Sequence, residues 1–250
     1  MNDQNIRLLI SYDGTDFSGW QRQSKNRSVQ GEIEAALEKI HKHPVNITGS
    51  GRTDTGVHAA AQTANFYTDI KNIAPERFVM ALNSYLPRDV RILKAEAASQ
   101  DFHSRFDAKM RTYRYFIVCG RHALAHELRY ALQLWHQPDV RLLNEYARLL
   151  HGEMDCSTFA SVQDQSKSRN RFIHQANFFY QGENLIFEIS ANAFLWKMVR
   201  SIVGSLLFYD EKKTTPEEVK RMIDAKDRSL AGPTAPPQGL FLWNVEYYRN

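Results

Sequence analysis

The sequence is poor in cysteine and lacks the long apolar runs of membrane proteins. It has two cysteines in 250 residues, Cys119 and Cys156, and both lie in runs typical of a strand or a core. We therefore expect buried thiols rather than a disulfide or a metal pair. No apolar stretch approaches the roughly 18 to 20 residues that span a bilayer. The first residues also lack the pattern of a signal peptide, so we expect a cytoplasmic protein.

Several common enzyme motifs are missing too. The 12 glycines form neither a GxGxxG pattern nor a phosphate-binding loop that ends in Gly-Lys-Ser/Thr, which argues against a nucleotide cofactor. No serine lies in a G-x-S-x-G elbow, which disfavours that type of hydrolase. The nine histidines show no metal-ligand spacing. The sequence predicts no metal and no cofactor.

What remains is the composition of an ordinary globular protein with a basic bias. The chain is 43% hydrophobic and 24% charged, with a net charge of +4. That charge is compatible with a nucleic-acid partner without implying one. The basic residues form local clusters, which are Arg88 and Arg91, Arg105, the run 109–114, and Lys167 with Arg169 and Arg171. Each cluster alone is typical of a solvated surface, whereas several together would suit a basic groove.

The hydrophobic pattern predicts short strands interleaved with a few helices. The predicted strands are 6–12, 61–68, 90–97, 111–118, 157–162, 172–180, 185–190 and 240–248. The predicted helices are one capped by Ser28, one opened by Pro75, 139–151, 194–208, and one beginning near Pro216. The regular alternation of a doubly wound fold is missing. We predict an α+β protein with two domains, 1–108 and 109–250, each a mainly antiparallel sheet flanked by helices.

The densest group of reactive side chains lies in residues 49–59, Gly-Ser-Gly-Arg-Thr-Asp-Thr-Gly-Val-His-Ala. Its glycines permit sharp turns and close approach of the backbone to a ligand. Asp54 could be a turn residue that accepts hydrogen bonds from loop amides. It could equally be a carboxylate kept ionised by nearby Arg52, which suits a nucleophile or a general base. The residue types fit both interpretations.

Two further groups of residues are candidates for function. Tyr113 and Tyr115 share one face of a predicted strand, and Arg114 takes the other face. The two rings could pack in a core or could stack on unpaired RNA bases. Arg200 lies among apolar residues, where an arginine is costly unless it is paired, so we expect it to have a carboxylate partner.

These residues lie in blocks that resemble one known family over nearly the whole chain. The segment Gly51-Arg52-Thr53-Asp54-x-Gly56-Val57-His58-Ala59 resembles the active-site motif of the tRNA pseudouridine synthase A family. The other blocks that resemble the family, in the family's order, are Tyr12-Asp13-Gly14-Thr15-x-Phe17-x-Gly19-Trp20-Gln21, Val29-Gln30-Gly31-Glu32, Phe102-His103-x-Arg105-Phe106, Tyr113-x-Tyr115, Met198-Val199-Arg200-x-Ile202-Val203-Gly204 and Ala235-Pro236-x-x-Gly239-Leu240. Thr55 departs from the alanine that the family often has.

The resemblance implies an isomerase that converts uridine to pseudouridine at positions 38, 39 and 40 in the anticodon stem-loop of tRNA. It implies no metal or organic cofactor, a homodimer, and an active-site cleft between the two domains. In this chemistry the N1–C1′ bond is broken, the uracil turns, and C5 is joined to C1′. Attack on C1′, addition to the uracil ring, and proton abstraction that gives a glycal-like intermediate all remain open.

The resemblance also implies roles for individual residues. Asp54 matches the catalytic aspartate and Arg200 its partner, while Arg52 matches the arginine that displaces and holds the target base. Tyr113 matches the active-site tyrosine. The expected substrate-binding residues are Leu240, His58 and Arg105.

Two rival functions make different demands on these residues. The first is an RNA-binding protein without catalysis, which would not need Asp54. The second is a glycosidase or nucleosidase with Asp54 as its nucleophile, and a retaining glycosidase would need a second carboxylate about 5 Å from the first. No such carboxylate lies in the matching blocks.

Overall fold

The computed structural model describes residues 3–247, and its α+β class is the predicted one. The chain divides into two compact units, Met1–Lys109 with Phe241–Asn250, and Met110–Leu240. We call them unit 1 and unit 2. The C-terminal strand packs with the first part of the chain, a grouping that differs from the predicted domains. The division into domains at 1–108 and 109–250 stays a prediction.

The strands and helices follow in chain order. The strands are β1 (Gln4–Tyr12), β2 (Thr48–Gly49), β3 (His58–Thr68), β4 (Val90–Ala97), β5 (Met110–Cys119), β6 (Leu132–Leu134), β7 (Gly152–Asp155), β8 (Asn170–Gln181), β9 (Asn184–Ala191) and β10 (Leu240–Glu246). The helices are α1 (Val29–His41), α2 (Arg77–Asn83), α3 (Val140–Arg148), α4 (Met198–Glu211) and α5 (Pro216–Asp224).

In unit 1 the strand order is β4-β1-β3-β10, with β1 antiparallel to both of its neighbours. The short β2 pairs with β3 at Asn65 and Ala64, and β10 runs parallel to β3 beside His58 and Ala59. Alternate residues of β1, namely Ile6, Leu8 and Ile10, are fully buried, as the twofold repeat of a strand requires.

Helix α1 packs on this core, and its sequence explains both where the helix begins and which face is buried. Ser28 caps the helix, since its hydroxyl accepts a hydrogen bond from the Gly31 amide. The apolar residues Val29, Ile33 and Leu37 recur at helical spacing, and all three are fully buried. The predicted helix after Ser28 is confirmed.

Unit 2 is built on the order β5-β9-β8-β7, in which every neighbouring pair is antiparallel, and β6 runs parallel to β5. The predicted hairpin is present as β8 and β9. Helix α4 is buried along almost its whole length. The largest fully buried side chains of this unit include Tyr115, Tyr146 and Tyr209.

Several predicted elements differ from the structure. The helix expected to open at Pro75 begins at Arg77, and the helix predicted over 139–151 ends at Arg148. No strand covers 157–162; β7 ends at Asp155, whose carboxylate accepts hydrogen bonds from the amide and hydroxyl of Ser157, and this turn leads into a 3₁₀ turn at Ser157–Phe159. The helix predicted from 194 begins at Met198, because Lys197 has a left-handed backbone with φ of +61°. The last strand ends at Glu246, and residue 248 of the predicted strand lies outside the described residues.

The two cysteines are free and buried, as predicted. Burial raises the pKa of the Cys156 thiol to about 12. Among residues 3–247, no helix has the length and apolar character needed to cross a membrane.

Candidate active site

Asp54 lies in the loop that joins β2 to β3. The Val57 amide donates to the Asp54 carbonyl at 3.1 Å, which closes a four-residue turn. Gly56 stands at the third position of this turn with φ of +76°, a conformation that favours glycine. Asp54 is half-buried and Arg52 is exposed. The loop therefore presents a carboxylate and a guanidinium two residues apart on a defined backbone.

The segment 12–20 holds this loop in place. The Gly56 amide donates to the Phe17 carbonyl at 3.3 Å, and the Trp20 amide donates to the Thr53 carbonyl at 3.2 Å. The hydroxyls of Tyr12 and Thr53 are hydrogen-bonded at 2.8 Å in a buried environment. The backbone on both sides of Asp54 is thus tied to the same neighbouring segment.

Two glycines make this approach possible. A Cβ on Gly14 would lie 2.0 Å from the Val57 carbonyl oxygen, and a Cβ on Gly19 would lie 2.4 Å from the Thr53 carbonyl oxygen. Gly19 also has φ of +92°, which disfavours any other residue. The glycines of the block Tyr12-x-Gly14…Gly19 therefore serve close packing against the Asp54 loop.

His58 supports the end of the loop from within unit 1. The side chain has no exposed surface, and its ring stacks on Phe241 with centroids 4.5 Å apart. Its Nδ1 lies 3.0 Å from the Gly14 amide nitrogen and 3.2 Å from a carboxylate oxygen of Asp13. A substrate contact by His58 stays a prediction, and this burial favours a supporting role.

Arg52 has a partner that no pattern in the sequence indicates. Its Nε donates to Oε1 of Gln21 at 3.0 Å. Gln21 is the last residue of the block that begins at Tyr12. Its place in that block is the one feature of the sequence that could have marked it as a functional residue.

Arg105 lies in a tightly bonded turn of the same unit. The Asp107 carboxylate accepts from the His103 amide at 2.8 Å. The Ser104 hydroxyl donates to the Thr48 carbonyl in β2 at 2.6 Å, next to the Asp54 loop. Phe106 is 73% exposed, and its ring lies 4.3 Å from that of His103. The turn thus displays an aromatic ring beside a basic residue.

In unit 2, β5 carries the two tyrosines on one face as predicted. Tyr113 is buried and its ring meets that of Phe194 edge to face at 5.1 Å. Arg114, on the other face, forms a cross-strand ion pair with Glu188 at 2.6 Å. Arg114 therefore stabilises the pairing of β5 with β9.

Arg200 is half-buried in the first turn of α4 and is bonded twice to Ala235. Its Nε donates to the Ala235 carbonyl at 2.8 Å, and the Ala235 amide donates to the Arg200 carbonyl at 3.0 Å. Gly204 permits this approach, because a Cβ there would lie 1.9 Å from the Pro233 carbonyl oxygen. Residues 232–237, which we call the proline-rich segment, consequently fix the stem of the Arg200 side chain.

Tyr115 and Leu240 lie at the other end of that segment. The Tyr115 hydroxyl donates to the Pro236 carbonyl at 2.8 Å, and burial raises the pKa of this phenol above its usual range. A Cβ on Gly239 would lie 2.7 Å from the Tyr115 ring, so the chain passes directly over it before Leu240. Leu240 is buried at the start of β10.

Several of the clustered basic residues donate hydrogen bonds to backbone carbonyls within their own units. Arg91 donates to the Pro87 carbonyl at 2.6 Å, Arg111 to the Asn192 carbonyl at 2.7 Å, and Arg171 to the Ser168 carbonyl at 2.9 Å. The basic side chains that remain exposed are Arg88, Arg105, Lys109, Lys167 and Arg169. Over residues 3–247, no three His, Cys, Asp or Glu side chains are grouped so as to hold a metal ion.

Comparisons with known proteins identify the family of this chain. Residues 8–107 and 146–248 match the tRNA pseudouridine synthase family. The tRNA pseudouridine synthase A of Treponema denticola is 54% identical over 98% of this chain and 94% of its own length. That of Treponema pallidum is 50% identical over 93% and 85%, and that of Geobacillus kaustophilus is 40% identical over 98% and 95%.

A solved structure of a Cbf5-Nop10-Gar1 complex covers 80% of this chain and 53% of its own at 9% identity, with a TM-score of 0.34. That likeness is too low to bear on the fold. The sequence matches carry the identification. The chain belongs to the tRNA pseudouridine synthase family, and it is an isomerase that converts uridine to pseudouridine in tRNA.

Proposed function

We propose that this enzyme modifies uridines 38, 39 and 40 in the anticodon stem-loop of tRNA, with Asp54 as the catalytic carboxylate. The observation that carries the proposal is the Asp54 loop, whose backbone is bonded on both sides to the segment 12–20. A carboxylate that is held before substrate arrives needs little reorganisation during the reaction. The relatives named tRNA pseudouridine synthase A supply the substrate class.

Asp54 acts on the positive charge that develops on the ribose during the reaction. Breaking the N1–C1′ bond builds positive charge on the ribose, and an ionised carboxylate close to C1′ stabilises it or traps that carbon. Arg200 acts as the partner of the carboxylate, and its side chain is already fixed through Ala235. Tyr113 and Leu240 provide the ring and the apolar side chain that contact the uracil.

The target uridine must leave its stack before it can react. Unstacking costs a few kcal/mol, which contacts in the pocket offset. Arg52 is exposed and carries five N–H donors, so it suits the task of displacing the base and holding its place. Arg105 and the other exposed cations bind phosphates, which makes affinity fall as salt rises.

We infer a homodimer and a cytoplasmic location from the same family membership and the tRNA substrate. Sedimentation velocity at micromolar concentration tests the first point, and a species with the mass of one chain overturns it.

The role of Asp54 is tested by Asp54→Asn, which keeps the shape of the side chain and removes its charge. Tritium release from tRNA that carries 5-tritiated uridine is expected to fall about 100- to 1,000-fold, the range typical for the loss of a group that stabilises the transition state. The matched control is Asp101→Asn, an exposed carboxylate of the same unit, which is expected to keep full activity. Near-normal turnover of Asp54→Asn overturns the assignment.

The positions are tested on tRNA transcripts with a single uridine at 38, 39 or 40. Mapping of pseudouridine in each transcript is expected to find product at all three positions. Product confined to another part of the tRNA overturns this specificity and leaves the isomerase activity in place.

A further inference from the structure

The exposed Arg52 side chain is connected to the buried interior of unit 1 by a chain of hydrogen bonds. Its first link is the 3.0 Å bond from Arg52 Nε to Gln21 Oε1. The bond uses Nε, so Gln21 does not occupy the edge formed by the two terminal nitrogens. A long exposed side chain otherwise samples many rotamers, and this contact restricts it.

Gln21 is itself oriented by Gln30. The amide nitrogen of Gln21 donates to Gln30 Oε1 at 2.9 Å, and the backbone amide of Arg22 donates to the same oxygen at 3.0 Å. The amide nitrogen of Gln30 donates to the Ile47 carbonyl at 3.2 Å and to Glu34 Oε1 at 3.0 Å.

Glu34 anchors the chain of bonds. It is 8% exposed and also accepts from the Ile47 amide at 3.2 Å and from Arg22 Nη1 at 2.9 Å. A carboxylate only accepts hydrogen bonds, so it requires the amide nitrogen of Gln30 to face it. The Gln30 oxygen must then face Gln21.

The same reasoning fixes the last link. The Gln21 nitrogen faces the Gln30 oxygen, so the Gln21 oxygen faces outward, towards a donor. Arginine has donors and no acceptor, and it therefore matches that oxygen. The direction of every bond from Glu34 to Arg52 follows from the one before it.

We infer that Gln21 is a positioning residue that orients Arg52 for its contact with the substrate, an inference that rests on the proposed role of Arg52. The side chain of Gln21 acts through the guanidinium and does not itself touch the reacting atoms. Its removal is expected to lower turnover while tRNA affinity changes little.

The test compares Gln21→Met, Arg52→Ala and the double variant. Methionine keeps the length of the side chain without either hydrogen bond. Loss of one hydrogen bond to a charged group is expected to lower kcat about 10- to 150-fold. The decisive result is that Gln21→Met causes no further loss when Arg52 is already alanine. The matched control is Gln23→Met, which removes another exposed glutamine of the same segment, bonded to the Ser18 carbonyl, and is expected to leave kcat unchanged.

Three outcomes for Gln21→Met overturn the inference. They are full activity of Gln21→Met, equal losses from Gln21→Met with and without Arg52, and a loss that is matched by a lower melting temperature or by weaker tRNA binding in a filter assay. Full activity of Arg52→Ala also overturns it, since nothing would remain to be oriented. Inactivity of Asp54→Asn in the same assay would then show that the failure concerns Arg52 alone and not the proposed function.

Discussion

Gly14 lies so close to Val57 that a Cβ on the glycine would stand 2.0 Å from the Val57 carbonyl oxygen. Gly14 belongs to the segment that holds the Asp54 loop, and Val57 is the last residue of that loop before β3. A methyl group at position 14 therefore pushes apart the backbone that carries Asp54.

Gly14→Ala is expected to lower the free energy of unfolding by about 1–3 kcal/mol, the usual cost of an added group in a packed site. The melting temperature should fall by about 2–4 °C for each kcal/mol. Gly51→Ala is the control from the loop itself, because a Cβ there meets no atom within 4 Å, and it should melt like the wild type. Equal melting of both variants would contradict the packing argument.

Tyr12→Phe tests the buried contact between the Tyr12 hydroxyl and Thr53. The change leaves the Thr53 hydroxyl buried without this partner, which is expected to cost about 1–3 kcal/mol of stability. Turnover should fall as well, because Thr53 adjoins Asp54. The double variant Tyr12→Phe with Thr53→Val removes both hydroxyls and is expected to recover most of the stability in urea unfolding. A double variant that is as weak as the sum of the single changes would refute the pairing.

Gly204→Ala tests how Arg200 is held. The new methyl group would overlap the Pro233 carbonyl and push the proline-rich segment away from α4. The bond from Arg200 Nε to Ala235 would then be lost. Turnover is expected to fall about 10-fold or more, together with a lower melting temperature.

Ser201→Ala is the control from the same helix. Its hydroxyl is buried and has no hydrogen-bond partner among residues 3–247, so its removal is expected to leave stability unchanged or slightly higher. A wild-type rate for Gly204→Ala would show that the segment does not set the position of Arg200.

The buried Cys156 thiol is expected to make the stability of the protein depend on pH. Burial raises its pKa to about 12, whereas an unfolded thiol titrates near 8.5. The folded state therefore keeps its proton while the unfolded state loses it, so the stability from this site is complete below about 8.5 and falls as the pH rises towards 12. Urea unfolding at pH 7 and pH 10 should show a smaller loss of stability in Cys156→Ala than in the wild type. Identical losses would rule out this linkage.

Local patterns predicted much of the fold. Helix α1 follows from the Ser28 cap and its buried apolar stripe, and the hairpin of β8 and β9 follows from the apolar runs on either side of a Gly-containing turn. The strand predicted at 157–162 was wrong because the composition of that run does not reveal that Ser157 donates two hydrogen bonds to the preceding Asp155 side chain. The Asp155 carboxylate turns the chain at Ser157.

The position of the Asp54 loop could be predicted from the sequence, whereas the contacts that hold this loop could not. The sequence shows the density of functional groups around Asp54. It also shows the alternation that places Tyr113 and Arg114 on opposite faces of a strand. The bond between Arg52 and Gln21 joins residues 31 positions apart. No period or spacing indicates a pairing of that kind.

The pairing of β10 with β3 has a consequence for biosynthesis. His58 at the start of β3 is covered by Phe241, which is its partner in the parallel register and stacks on its ring. A ribosome makes residue 241 long after residue 58, so His58, at the end of the Asp54 loop, stays uncovered in the nascent first unit until then. The loop that carries Asp54 is therefore completed late in folding, after residue 241 has been translated.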